Sequence, residues 1–376
     1  MANLGACHDI GSAHVIEALQ CRCMDRALPF EGYSSDAGNA ERNQGRSLMD
    51  PAPPPGRGFR IALALAGIYF IWGSTYLAIR IAIETLPPFL MAGVRFLVAG
   101  GGLFLWSRAR GAERPTPSLW KTSALSGILM FLCGNGAVVW AEQFVPSGLV
   151  ALLVATVPLW IVLQDWISGR GGAPGMGVAF GILWGFGGVA LLVTGSEIGM
   201  AGPQDLFGGL LVLCGAACWS AGSLVARYGA RPASSGVGNG MQMLAGGAAL
   251  LLVGVFRGEP AAFDPAGVST ASVLAVFYLV VFGSLVGFSS YIWLLRNTTP
   301  AVASTYAYVN PAVALLLGWA LAAEPLSPRT GLAAFVILSG VLVITTQRTR
   351  GGVPRMTTGK LPPSESSGGG DLADRS

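Results

Sequence analysis

Hydrophobic and polar positions along this chain do not alternate at the short period of soluble helices. They fall into long apolar blocks, each near the twenty residues that a bilayer-spanning helix needs, separated by short connections that hold most of the charge. The blocks predict ten membrane-spanning helices, at 59–81, 88–107, 118–140, 146–167, 176–195, 206–227, 237–256, 270–294, 301–322 and 330–347. A polar head, 1–58, ends in the stiff run Pro51–Pro55, and a polar tail covers 348–376. Both read as disordered. The head has no basic flank followed by a short apolar core and a small-residue cleavage site, so it does not read as a signal peptide. Met49 is an alternative start.

The pattern contains its own echo. Trp72 returns as Trp219, Arg80 as Arg227, Gly93 as Gly240 and Gly100 as Gly247, each 147 positions later. Trp140 with Pro158 returns as Trp293 with Pro311, 153 positions later. The blocks therefore divide into two copies of one unit, 59–195 and 206–347, with five spans in each. Five is odd, so the second copy enters the membrane facing the opposite way. The expected fold is an all-α polytopic membrane protein of two inverted five-helix repeats.

Charge sets the orientation. Arg108, Arg110, Arg114 and Lys121 follow span two, Arg170 follows span four, Arg227 and Arg231 follow span six, and Arg296 follows span eight. The other connections carry Glu84, Glu197, Asp205, Glu259, Asp264 and Glu324, with Arg257 and Arg329 as basic exceptions. The positive-inside rule then places both termini in the cytoplasm, and the expected location is the plasma (cell inner) membrane. Composition agrees, with 52% hydrophobic residues, 11% charged and a mean hydropathy of +0.59. Soluble domains carry about 25% charge. The net charge of +4 is too small to suggest a nucleic-acid partner.

The 54 glycines lie mainly in the spans, as at Gly100–Gly102 and Gly246–Gly247. In lipid, helices associate by close backbone approach, so these positions read as tight crossings. A hinge role is the sharper alternative. The cysteines suggest no disulfide framework, and Cys214 and Cys218 read as small packing residues. In the head, Cys7, His8, His14, Cys21 and Cys23 match no zinc spacing.

No enzyme motif is present, and both histidines lie in the head. Transport asks for less: a few polar and aromatic groups that recognise and release a substrate. Arg95 lies inside the second span, where a charge is either functional or a packing device that snorkels or binds helix-end carbonyls. Glu142 and Gln143 end the third span, and Asn135 shares a face with Glu142. Glu142 reads either as a proton-exchanging carboxylate near a cavity mouth or as a solvated carboxylate at the interface. Pro158 and Pro311 predict matching kinks in spans four and nine, with Tyr306 and Asn310 on one face upstream of the second. Trp72 and Trp219 head their repeats beside small or hydroxylated residues, Ser74, Thr75 and Ser223 among them. Inversion is expected to bring the two indoles together.

At these residues the chain resembles the EamA-type proteins of the drug/metabolite transporter superfamily, which carry two tandem EamA domains. The resembling stretches are Ile71 to Thr75 (IWGST), Pro87-Pro88 with Gly93 to Phe96, and Trp140 to Gln143 with Ser147-Gly148 and Thr156 to Pro158. They continue with Tyr308 to Pro311 and Glu324-Pro325, and together cover nearly all of 59–347. The resemblance implies ten helices in two inverted units around a central cavity lined mainly by helices one, three, four, six, eight and nine. It implies export of metabolites, amino acids among them, often with proton or exchange coupling. It also puts Trp140, Trp293 and Glu324 on motif positions. The first copy has no counterpart of Glu324, since Gly169 to Gly172 stands there, and the head is longer than the pattern.

The candidates for substrate contact are thus Trp72, Ser74, Thr75, Asn135, Trp140, Trp219, Ser223, Trp293, Tyr306 and Asn310. Arg95, Glu142 and Glu324 are the candidate coupling or structural charges, and Pro158 and Pro311 the helix-kink positions. No catalytic set, metal or cofactor is expected. The expected partners are a small-molecule substrate and the lipid bilayer, with protons as a candidate coupling ion and a second copy of the chain as a candidate protein partner. The leading reading is a secondary exporter working by alternating access. A membrane-embedded enzyme and a non-transporting receptor or scaffold are the competing classes.

Overall fold

The computed structural model describes residues 57–170, 173–193, 203–298 and 305–350. The head with its Cys and His residues, and nearly all of the tail, lie outside that set. The described residues are helical, with no strand among them. The first repeat comprises α1 (Arg57–Ala82), α2 (Pro88–Ala109), α3 (Pro117–Ala141), α4 (Ser147–Ile167) and α5 (Met176–Val193). The second comprises α6 (Pro203–Tyr228), α7 (Ser235–Phe256), α8 (270–297), α9 (Tyr306–Ala322) and α10 (Pro328–Arg350). Eight of these are long and apolar enough to cross a bilayer. The other two, α5 and α9, are shorter and adjoin residues outside the described set.

Local chemistry explains the starts of the spans. Pro88, Pro117, Pro203 and Pro328 sit at first helical positions, where a missing N–H costs nothing. Ser269 and Ser327 cap the helices that follow, accepting from Ser272 N at 3.0 Å and Thr330 N at 3.1 Å. The outer faces are apolar: Phe70, Leu183, Phe277 and Leu316 are all exposed. Such a surface belongs in hydrocarbon.

Lipid gives these apolar faces no reason to leave it, so the halves must be joined by close backbone contact. That contact lies between α2 and α7. A Cβ on Gly240 would lie 3.0 Å from Gly100 O, and one on Gly247 would lie 3.0 Å from Gly93 O. Position rises along one helix as it falls along the other, so these equivalent helices run antiparallel. The echo in the sequence is therefore an inverted repeat. The α5–α10 interface shows the same sense, with Gly181 against Gly340 and Gly188 against Ile337.

The principal contacts between the halves come in symmetric pairs: α1 with α9 and α6 with α4, α3 with α6 and α8 with α1, α3 with α7 and α8 with α2. Even an irregularity is shared. Ile128–Asn135 of α3 and Leu279–Val286 of α8 are both wound as π-helix, a rare form that often marks functional sites. Gly134 and Gly287 stand at equivalent places near the ends of these segments. A Cβ on Gly134 would lie 3.0 Å from the Trp219 indole, and one on Gly287 would overlap Trp72. The expectation that Trp72 and Trp219 meet each other is thus corrected. Symmetry delivers each indole to the third span of the opposite half.

The prolines also part company. Helix α4 breaks between Val154 and Val157, just ahead of Pro158, whereas Pro311 lies within the unbroken helix of α9. A break in the helix thus accompanies Pro158 but not Pro311.

Gly240→Ala should destabilise the protein in detergent by about 1–3 kcal/mol, because the new methyl meets backbone. Gly102→Ala should have no such effect, since nothing lies within 4 Å of its Cβ position. Thermal unfolding of both variants checks this, and equal melting temperatures would contradict the crossing.

Candidate functional site

Several of the sequence candidates converge on the π segment of α8. Trp72 on α1 donates its Nε1–H to Gly283 O at 3.1 Å. Its ring packs at 5.6 Å from Phe288, 5.5 Å from Tyr291 and 5.0 Å from Tyr306, mostly edge to face. Trp293 joins the same apolar cluster. Ser74 lies 2.6 Å from the Tyr278 hydroxyl, and its Oγ also donates to Ile71 O at 3.0 Å. Thr75 Oγ1 donates to Trp72 O at 2.6 Å.

Arg95 adjoins this cluster, and Glu142 is a second buried charge. Arg95 is only 6% exposed. Its Nε donates to Ser284 Oγ at 3.2 Å, and its guanidinium lies 4.8 Å from the centre of the Phe96 ring. Glu142 is completely buried, and neither carboxylate oxygen has a hydrogen-bond partner. The solvated reading of Glu142 is therefore corrected. The chain around it, Ala141, Val145 and Ser147, is itself fully enclosed, and Arg80 donates to its main-chain carbonyl. Electrostatically Glu142 feels Glu324, Arg80 and Arg95.

Glu324 has a different task. Its Oε1 accepts from Ser147 N at 2.7 Å and its Oε2 from Gly148 N at 3.1 Å, so it caps the start of α4 from the end of α9. Ala323 turns the chain back for this by adopting φ 51°, in the left-handed region. No other non-glycine described residue has a positive φ. That conformation costs about 1–2 kcal/mol. Glu259 makes a matching clasp beyond α7, accepting from Phe89 N at 3.2 Å and Leu90 N at 2.9 Å at the start of α2. Both clasps join one repeat to the other at the same end of the bundle. Thr85 and Ser272 add to them, with Oγ1 donating to Oγ at 2.8 Å.

The remaining candidates lie elsewhere. Trp219 packs on Phe131 at 5.8 Å, and Ser223 donates to Trp219 O at 2.8 Å. Trp140 packs on Phe144 and on Phe207 of α6, away from Trp72. Asn135 and Asn310 each enclose an Oδ1 that has no partner. Asn310 is closer to the cluster, since a Cβ on Gly73 would lie 3.1 Å from its main-chain oxygen. A groove of about 500 Å³ lies on the flank of α2 and α8, between Leu90, Val94, Phe263 and Phe277. Its lining is apolar and includes none of the candidates.

Sequence reasoning missed Ser284, Tyr278, Tyr291 and Phe288. A hydroxyl isolated in the apolar run of span eight was a signal for Ser284, although nothing in the run revealed its partner.

Comparison with known proteins adds an independent finding. A model of the EamA-like transporter family matches the chain twice, over residues 59–194 and 206–346. The chain is 41% identical over 288 residues to "Uncharacterized inner membrane transporter YedA" of Escherichia coli K12, covering 75% of this chain and 89% of that protein. It is 27% identical to "Uncharacterized transporter YoaV" of Bacillus subtilis, covering 76% of this chain and 97% of that one. A solved structure described only as "Crystal structure of protein" shares the fold, with a TM-score of 0.53 at 21% identity, covering 77% of this chain and 99% of the other.

Glu324→Gln should lower thermal stability by about 1–3 kcal/mol, because an amide presents one acceptor to two helix-end N–H groups. Ala323→Gly should raise it by about 1 kcal/mol through relief of the left-handed turn. Unfolding curves for the pair check the clasp, and an unchanged Glu324→Gln curve would contradict it.

Proposed function

The chain belongs to the EamA-like transporter family, and on that premise we propose that it is a secondary transporter of the cell inner membrane. It exports a small organic metabolite, such as an amino acid, by alternating access of its two repeats about a central site. The observation that carries this reading is the antiparallel crossing of α2 and α7. Inverted halves can exchange conformations, and that exchange opens one midplane site first to one side and then to the other. The charged connections favour cytoplasmic termini. Residues 59–195 and 206–347 are the two units that move against each other.

On that orientation both carboxylate clasps lie on the outer side. The stretch equivalent to Glu324, Gly169 to Gly172, carries no carboxylate, and the equivalent of Glu259 is Ala112, beside Glu113. On this reading the arrangement is closed to the outside by its two clasps, and export requires the Glu324 and Glu259 bonds to part. Glu142 is the proton-exchanging group of this reading. A carboxylate enclosed without donors is costly as an anion and is relieved by a proton. Trp72 and Asn310 contact the substrate, and no cofactor takes part.

Proteoliposomes containing the purified protein should move a small amino acid or related metabolite and change internal pH as they do so. Trp72→Ala and Asn310→Ala should reduce this flux without loss of folding, and Glu142→Gln should remove the pH change. Normal transport by the first two variants would contradict the site. Active transport with a flat internal pH would remove Glu142 from the mechanism.

A further inference from the structure

Arg95 is a buried charge whose donors are only partly used. Its 6% exposure excludes snorkelling to the interface, and it binds no helix-end carbonyl. Its Nε has Ser284, while its Nη1 is enclosed with no hydrogen-bond partner. Glu142 is a second buried charge, and its two oxygens are likewise without partners. The two share no hydrogen bond.

The other half shows what packing alone would place here. The positions equivalent to Arg95, Gly283 and Ser284 are Gln242, Met130 and Phe131. There α7 meets the π segment of α3 with Gly246 close against Phe131. The same helix crossing thus carries a neutral amide with the apolar Met130 and Phe131 in one half, and a guanidinium with Gly283 and Ser284 in the other. Arg95 also stands beside the Trp72 cluster, since a Cβ on Gly283 would lie 3.3 Å from its Nη2 and 3.2 Å from Thr75 Cγ2. A guanidinium with a free donor in a low-dielectric site is a receptor for a planar oxyanion, of which the carboxylate is the smallest common form.

We propose that Arg95 binds the carboxylate of the transported metabolite, with Ser284 fixing the guanidinium and Glu142 facing a positive group of the same molecule. A free carboxylate is then the feature by which Arg95, held by Ser284, selects among the molecules of that reading. This inference rests on the transport reading above and goes further by naming the residue that selects the substrate.

Counterflow of a radiolabelled mixture of the protein amino acids into preloaded proteoliposomes tests it. Competitors are the free amino acids, their methyl esters and the corresponding decarboxylated amines. The free acids should compete, and the esters and amines should be weaker by about tenfold or more, the effect of one charge-assisted bond. Arg95→Gln should lose that discrimination, and Arg95→Lys should keep part of it. Should Arg95→Gln fail to fold, Ser284→Ala retains the charge, loosens its Nε, and should shrink the discrimination.

Esters or amines that compete as well as acids would overturn the proposal. So would a variant that discriminates as the wild type does. Flux of amines with none of acids would overturn the role of Arg95 and leave transport standing. Absence of flux for acids, esters and amines alike would overturn the transport reading and this proposal with it.

Discussion

Bare backbone against bare backbone, at the crossing of α2 and α7, is the constraint from which the rest of the structure follows. Hydrocarbon removes the usual reason for helices to associate, so dispersion at close range must supply it. Four glycines at equivalent places give that range, Gly93 with Gly247 and Gly100 with Gly240. Because the two helices are copies of each other and cross antiparallel, the contact fixes a pseudo-twofold axis. The other inter-repeat pairings then come in mates, down to the two indoles resting on Gly134 and Gly287.

Upon this symmetric scaffold the chemistry is asymmetric. Trp72 and Trp219 occupy equivalent seats, but only Trp72 is ringed by Phe288, Tyr291 and Tyr306. Arg95 stands opposite Gln242, and Ser284 opposite Phe131. Carboxylates clasp the two halves at one end of the bundle, at Ser147 and Gly148 and at Phe89 and Leu90. In the transport reading proposed above, this symmetry makes two opposite arrangements available, and the asymmetric groups decide what is bound.

The fold was legible because its signals are long. Twenty-residue apolar runs survive errors of several residues at either end, and an odd number of spans per copy leaves the second copy only one orientation. What the sequence hid depended on which helix crosses which. Pro146 made Glu142 look like the end of a wet helix, yet Val145, Ser147 and the carboxylate of Glu324 close over that turn. Trp72 and Trp219 looked like partners because periodicity names a helix face without naming what the face meets. The π segments were invisible, since Ile128–Asn135 and Leu279–Val286 have the composition of any apolar helix. Of the candidates, Trp72, Trp293 and Tyr306 lie in one apolar cluster, while Trp140 packs on Phe207 of α6.

The central claim is that equivalent connections of the two repeats lie on opposite sides of the membrane. Single cysteines placed by Arg110→Cys after α2 and Arg257→Cys after α7, in a chain whose six native cysteines are replaced, measure this directly with a membrane-impermeant maleimide. Intact cells should label position 257 and spare position 110, and inverted vesicles should do the reverse. Labelling of both positions from the same side would contradict the account.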